Sequence, residues 1–183
     1  IRQDSRIHHK VLKDTGVLPA NYDTLSETDK LNLLASIEGK INPADFTETI
    51  TKDTIESIYA IQTVQAMNGE AGCHRYIISN CQTAVNVMEL YALIRLCGIN
   101  ENISNIDIVP LFETIDDLAA SETIMDTLYQ HPLYAAHLKA RKNHQPIMLG
   151  FSDGTKDGGY LQANWGIYKA KEVLTAISRK NNI

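Results

Sequence analysis

Cysteine is scarce in this 183-residue sequence, which has three, at Cys73, Cys81 and Cys97. Their spacing matches neither a CxxC pair nor a zinc-binding pattern, and an odd, sparse count argues against a disulfide framework. We therefore expect free thiols that pack as small hydrophobic side chains. The same count favours a reducing compartment, and we expect the cytoplasm.

The sequence also lacks long apolar stretches and an excess of positive charge. No run approaches the ~18 apolar residues that a membrane helix needs, and residues 1–10 are polar from the second position, unlike a signal peptide. The formal net charge of −5 argues against nucleic acid or an anionic membrane as the main partner. With 44% hydrophobic residues, the chain can bury one ordinary globular core.

Motifs that would assign the chain to several large enzyme classes are missing. It has no GxSxG nucleophile elbow, no GxGxxG dinucleotide fingerprint, no GxxxxGK[ST] phosphate loop and no HExxH zinc helix. The six histidines form no metal-binding pattern, since His8 and His9 are adjacent and the others are scattered. We expect each histidine to be an ordinary surface or core residue.

Helical patterns dominate residues 1–72. A helix is predicted from about Ser5 to Gly16, and IRQDS before it is typical of the end of a strand. A second helix follows Ser26 as its N-cap, and a third ends at Gly69. We therefore predict a mainly helical segment at the start of a single domain that spans 1–183.

Residues 73–183 alternate short apolar runs with long helical patterns. The runs are RYIIS, IDIVPLF and PIMLGF, and a further short helix is predicted to begin at Pro132. Runs of this length, apolar on both faces, are typical of parallel strands in an α/β sheet or barrel. We predict three βα units in this part of the chain.

Two acidic residues follow the last two of these runs, and both are candidate metal ligands. Glu113 comes directly after IVPLF, and Asp153 follows IMLGF by one serine. Ligand sites form where the carboxyl ends of parallel strands converge, and two converging carboxylates repel unless a cation lies between them. Mg²⁺ or Mn²⁺ suits such a site. Equally, both could be caps or first-turn acids of the next helices, the role we assign to Asp116 and Asp117.

Lys156 lies in a predicted glycine-bearing loop three residues after Asp153, within reach of a substrate phosphate or carboxylate. A solvent-exposed lysine without a role is the simpler interpretation from the residues alone. Gly154, Gly158 and Gly159 permit tight turns and close approach of a ligand. Asp157 could orient Lys156 or cap the next helix.

Three segments resemble the phosphoenolpyruvate carboxylase family: IRQDS at 1–5, VPLFETIDDL at 109–118 and GFSDGTKDGG at 150–159. The last two together are specific. The sequences YIISNCQTAVNVMELYALIRLCG and YLQANWGIYKAKEVL are similar to the family as well. The resemblance runs nearly end to end and is weakest from about Pro19 to Gly72.

The resemblance implies a large (β/α) barrel of the TIM type with additional helices. The implied enzyme joins bicarbonate to phosphoenolpyruvate and gives oxaloacetate and phosphate. It further implies that Glu113 and Asp153 hold Mg²⁺ or Mn²⁺, that Lys156 is catalytic, and that Arg2 reaches the phosphate side of the substrate. Family members are homo-oligomers, and the resemblance implies a tetramer.

The chain also departs from the family. Family members are several times longer, and their catalytic histidine segment and glycine- and arginine-rich loop have no counterpart here. Gly154, Thr155 and Gly158 stand where other members often have Ser, Ala and Ala. We expect this piece alone to be inactive and to self-associate through open sheet edges. Two alternatives remain: a non-catalytic domain that binds a divalent metal or an anion, and another metal-dependent barrel enzyme that handles an enolate.

Overall fold

A four-stranded parallel sheet lies at the centre of the molecule. The computed structural model describes residues 1–99 and 105–183. The strands, in both chain and spatial order, are β1 (Arg2–Asp4), β2 (Arg75–Ser79), β3 (Asp107–Phe112) and β4 (Met148–Leu149). All three pairings are parallel, so the predicted α/β class and its parallel strands are confirmed, including the short strand at IRQDS.

Seven α-helices connect and cover these strands in the described part of the chain. They are α1 (Ser5–Asp14), α2 (Glu27–Ser36), α3 (Thr49–Asn68), α4 (Ala84–Leu96), α5 (Ile115–Gln130), α6 (Pro132–Ala140) and α7 (Ser152–Lys180). No helix among the described residues is both long enough and apolar enough to cross a membrane.

Local signals in the sequence account for several helix ends. Ser26 caps α2 by accepting a hydrogen bond from the amide of Asp29. Gly16 and Gly69 follow α1 and α3 with φ of +72° and +77°, which are left-handed values that glycine adopts without a steric penalty. Pro132 begins α6 as predicted, because a first-turn residue needs no amide donor.

The core lies around α4 and β3. Every residue of β3 is buried, and α4 is buried on almost all sides between the sheet and the helices around it. This explains why both segments are apolar without a clear periodicity, since neither has a solvent face. Cys81 and Cys97 are buried free thiols, which confirms that they pack as predicted. Burial raises the pKa of each thiol to about 12.

The predicted glycine-bearing loop around Lys156 is wrong. Residues from Ser152 onward are helical, and α7 begins eight residues before the Tyr160 start that the pattern indicated. The helix is interrupted at Gly159, where φ is 80° and ψ is 169°. Lys156 therefore lies in a short helical stretch directly after β4, separated from the rest of α7 by that break.

Candidate metal and phosphate site

Groups from three neighbouring strands of the sheet meet at Glu113: the side chain of Arg2, the backbone amide of Asn80 and the Glu113 carboxylate itself. By register, Arg2 on β1 lies level with Ile77 on β2, which lies level with Val109 on β3. Glu113 directly follows β3, and the long side chain of Arg2 reaches up to it. Nη2 of Arg2 lies 2.9 Å from Oε1 of Glu113. Two of the residues predicted to act at the site are therefore in direct contact.

Both oxygens of Glu113 accept hydrogen bonds. Oε1 accepts a hydrogen bond from the Arg2 guanidinium. Oε2 accepts one, at 3.0 Å, from the backbone amide of Asn80, which directly follows β2. The Glu113 side chain is only 16% exposed, whereas that of Arg2 is 54% exposed. The carboxylate is therefore fixed at the rim of the sheet, with its cationic partner open to solvent.

Glu113 is not a helix cap. Thr114 caps α5, accepting from the amide of Asp117, and the carboxylate of Asp117 accepts from the amide of Thr114 in return. Asp116 and Asp117 are first-turn residues of α5, as predicted. With the capping role taken by Thr114, the side chain of Glu113 is available for another function.

Asp153 and Lys156 form a second pair of opposite charges. Nζ of Lys156 lies 3.0 Å from Oδ1 of Asp153, and the two side chains are 77% and 49% exposed. Asp153 is also a first-turn acid of α7, so that alternative holds for Asp153. Asp157 instead accepts from the amide of Ile115 at 3.2 Å, which ties the start of α7 to the start of α5.

Gly150 allows the segment that carries Asp153 to pack closely against Glu113. The amide of Gly150 donates to the carbonyl of Phe112 at 2.7 Å. A Cβ at Gly150 would lie 3.1 Å from Cα of Glu113, and one at Gly154 would lie 3.4 Å from the Glu113 carbonyl oxygen. This segment therefore passes tightly against the Glu113 backbone at Gly150, whereas a Cβ at Gly154 would make an ordinary contact. Close approach of a ligand to Gly154, Gly158 and Gly159 stays a prediction.

The donor set suits a hard divalent cation. Carboxylate oxygens are the ligands that Mg²⁺ and Mn²⁺ prefer, and each oxygen has two lone pairs, so Glu113 can accept its present hydrogen bonds and still coordinate an ion. No group of three or more His, Cys, Asp or Glu side chains that could hold a metal occurs among residues 1–99 and 105–183. Two carboxylates from this chain, completed by substrate oxygens and water, fit the usual binding of Mg²⁺.

Sequence reasoning missed Asn80, whose amide binds Glu113. Asn80 has a φ of +54°, and asparagine is the residue other than glycine that most readily adopts this conformation. An asparagine directly after a predicted strand was the available signal. A backbone amide, however, has no signature in the sequence that would name its acceptor.

Two of the histidines, His9 and His74, lie beside buried carboxylates, those of Glu89 and Asp107. Burial lowers the pKa of His8 and of His137 to about 4, so both are neutral core residues. His9 lies 2.7 Å from the buried carboxylate of Glu89, and this contact raises the pKa of His9. His9 and Glu89 line a cleft of about 440 Å³ that also reaches Asn80.

Comparisons with known proteins show which family the chain is similar to. The sequence model of the phosphoenolpyruvate carboxylase family matches residues 1–183. Relatives named phosphoenolpyruvate carboxylase include those of Corynebacterium diphtheriae, 35% identical, Mycobacterium leprae, 33% identical, and Nitrosomonas europaea, 32% identical, each aligned over the whole of this chain. The chain spans only 21–22% of the length of these relatives.

Proposed function

The chain belongs to the phosphoenolpyruvate carboxylase family, and we propose that it supplies the metal-binding and part of the phosphate-binding side of that enzyme's active site. The parent protein would carboxylate phosphoenolpyruvate with bicarbonate to give oxaloacetate and phosphate. The observation that carries the proposal is the contact of Arg2 with Glu113 at the edge of the sheet, beside the segment that bears Asp153 and Lys156.

Glu113 and Asp153 would hold the divalent ion, Mg²⁺ or Mn²⁺. When bound, the ion would supply Lewis-acid stabilisation of negative charge on substrate oxygens. The role of the chain is to present the two carboxylates from adjoining strand ends. The hydrogen bonds from Arg2 and Asn80 hold Glu113 in a defined orientation for that purpose.

Arg2 and Lys156 would bind the phosphate side of the substrate. The contact of Arg2 with Glu113 takes one N–H of Nη2. The other N–H of Nη2, together with the neighbouring N–H of Nε or Nη1, can still bind phosphate oxygens in a bidentate manner. Lys156 adds a mobile point charge, and its side chain is largely exposed. Together they would stabilise the charge of the transferring phosphoryl group.

The chemistry would proceed in two parts. Transfer of the phosphoryl group from phosphoenolpyruvate to bicarbonate gives carboxyphosphate and the enolate of pyruvate. Carboxyphosphate then releases phosphate and CO₂, and the enolate carbon attacks CO₂ to form oxaloacetate. Because water would protonate the enolate, the site must exclude it during these steps.

The remaining parts of the site would come from elsewhere in the parent protein. The four parallel strands and their helices would form part of a TIM-type barrel, whose ligand sites lie at the carboxyl ends of the strands. The family's catalytic histidine segment and its glycine- and arginine-rich loop are missing here, so the isolated chain would have no carboxylase activity. The tetrameric parent and the cytoplasmic location stay predictions.

Steady-state kinetics of the full-length parent test this proposal. We expect Glu113→Gln and Lys156→Gln each to lower kcat for oxaloacetate formation by at least about 100-fold, the usual cost of losing a charge partner at a reacting centre. Lys171→Gln is the matched control, because Lys171 is an exposed lysine on the same helix. Activity that is unchanged in both site variants would exclude these roles and favour a non-catalytic metal- or anion-binding domain.

A further inference from the structure

Asn80 connects Ser5, directly after β1, to the candidate metal ligand Glu113 after β3. It lies directly after β2, the strand between β1 and β3 in the sheet. Its amide donates to Oε2 of Glu113 at 3.0 Å, while its carbonyl oxygen accepts from Oγ of Ser5 at 2.7 Å. Ser5 is 2% exposed, so this second contact is shielded from water.

The backbone of Asn80 is held in a conformation that most residues avoid. Its φ of +54° is left-handed, which costs an ordinary side chain roughly 1–2 kcal/mol, and asparagine less. Such a conformation persists only where the surrounding structure determines it. Here Ser5 determines it in part, because the Ser5 hydroxyl donates to the carbonyl of Asn80 and lies 3.4 Å from its side-chain nitrogen.

The consequence for Glu113 is a carboxylate held at both oxygens by neighbouring strands. Arg2 on β1 holds Oε1 and the amide after β2 holds Oε2, so rotation of the carboxylate about its last bond would break both contacts. A glutamate side chain otherwise loses considerable rotamer entropy when it is ordered. Ordering it in advance lowers the cost of binding an ion.

We infer that Asn80, held by Ser5, is a positioning residue that orients the Glu113 carboxylate for the divalent ion. This inference rests on the proposed function, because it assigns Glu113 the role of a metal ligand. Contacts of this kind behind a metal ligand typically change metal affinity 10- to 100-fold when they are removed.

Two variants of Asn80 separate backbone conformation from side-chain chemistry. Asn80→Gly keeps the left-handed backbone available, whereas Asn80→Ile strongly disfavours it, because a β-branched side chain fits poorly at positive φ. Asn143 is a matched control position: it also has positive φ, at 56°, but lies in the turn after α6. Asn143→Ile therefore introduces the same strain away from the site.

The first measurement is the Mn²⁺ dissociation constant of the 183-residue chain by electron paramagnetic resonance. We expect Asn80→Ile to weaken Mn²⁺ binding about tenfold or more and Ser5→Ala to weaken it severalfold. Asn80→Gly should keep the dissociation constant within about twofold of that of the unmodified chain. Asn143→Ile should leave it unchanged. If Glu113→Gln abolishes binding while Asn80→Ile and Ser5→Ala leave it unchanged, the positioning role is wrong and the metal site stands.

The second measurement needs no metal. In a ¹H–¹⁵N spectrum, the Asn80 amide proton should move upfield in Glu113→Gln, because a neutral amide is a weaker acceptor than a carboxylate. The same signal should not move in Asp116→Asn, which removes one charge from an exposed neighbour. If the chemical shift of the Asn80 amide proton is unchanged in Glu113→Gln, the inference is wrong, whatever the affinity of the chain for Mn²⁺. If the signal responds but Glu113→Gln leaves Mn²⁺ binding intact, the proposed metal role of Glu113 is the part that fails.

Discussion

Arg2 and Glu113 are separated by 111 positions in the sequence, and their side chains form an ion pair with 2.9 Å between Nη2 and Oε1. The pair joins the first strand of the sheet to the end of the third. It also joins a residue expected to bind phosphate to one expected to bind a metal ion. A single contact thus brings the two halves of the proposed site together.

The first prediction concerns Arg2. In the full-length parent, Arg2→Gln and Arg2→Lys should each lower kcat/KM for phosphoenolpyruvate by about 100-fold, because lysine cannot reproduce the planar fork of a guanidinium. The free energy of unfolding should change by less than about 1 kcal/mol, since the Arg2 side chain is 54% exposed and the ion pair is screened by water. Arg6→Lys is the control, as Arg6 is exposed and pairs with Asp4. A kcat/KM close to wild type in Arg2→Lys would rule out bidentate phosphate binding.

A second prediction uses the two glycines that pack against Glu113. In Gly150→Ala the new Cβ would lie 3.1 Å from Cα of Glu113, and backbone cannot move aside easily. We expect a loss of about 1–3 kcal/mol in the free energy of unfolding, measured with urea. Gly154→Ala, with an ordinary contact of 3.4 Å and a helical position, should cost nothing or stabilise slightly. Equal effects of the two substitutions would contradict the tight packing of Gly150 against Glu113.

A third prediction follows from the buried histidine His137, which packs against the rings of Tyr91 and Tyr134. Burial lowers the pKa of His137 to about 4 in the folded chain. Between pH 6.5 and pH 4 the unfolded chain therefore binds a proton at this residue and the folded chain does not. The resulting stability is complete above pH 6.5 and is lost as the pH falls towards 4. His8 follows the same rule, with a pKa of about 4.

The test compares urea unfolding at pH 7 and pH 4.5. His137→Phe should remove roughly 2–3 kcal/mol of the acid-induced loss, because phenylalanine cannot bind the proton. An identical acid-induced loss in His137→Phe and in the unmodified chain would show that His137 is not buried in the neutral form.

A fourth prediction concerns the exposed aromatic and aliphatic residues of α7. Four of them are more than half exposed: Tyr160, Leu161, Trp165 and Tyr168. Apolar patches of this kind on a small domain favour association, so we expect the isolated chain to form dimers or larger species as its concentration rises. Light scattering after gel filtration should detect this, and Leu161→Glu should shift the chain towards monomer. A monomer at all concentrations would contradict the expected self-association.

The element types were predictable because apolar runs and helix caps are local properties of the sequence. RYIIS and IDIVPLF form strands as expected. Ser26 caps the start of α2, and Gly16 follows the end of α1 with a positive φ. The early start of α7 was not predictable, because Gly154, Gly158 and Gly159 are poor helix formers and favour a loop. The start of α7 is also bonded to the start of α5, through the hydrogen bond from the Ile115 amide to Asp157, a tertiary contact that the local pattern does not reveal.

The candidate site was predictable to a similar extent. Glu113 could be named from its position after a strand and Arg2 from the family resemblance, and their side chains are in contact. The roles of Asn80 and Ser5 could not be found in this way, since they depend on a backbone amide and a backbone carbonyl whose directions are set by tertiary structure. The roles of Asp153 and Lys156 stay predictions, and both residues lie in a helix where the sequence pattern predicted a loop.

The most direct test of the central claim is Mn²⁺ binding to this chain, measured by electron paramagnetic resonance or calorimetry. We predict a single site that Glu113→Gln and Asp153→Asn each weaken by at least about tenfold, because each removes one of two carboxylate ligands. Asp116→Asn, which removes the same charge from an exposed residue nearby, should leave the affinity unchanged. The claim that these two carboxylates form one ion site within this chain would be contradicted by an affinity that either of the first two substitutions leaves unchanged. Absence of binding by the unmodified chain at millimolar Mn²⁺ would contradict it as well.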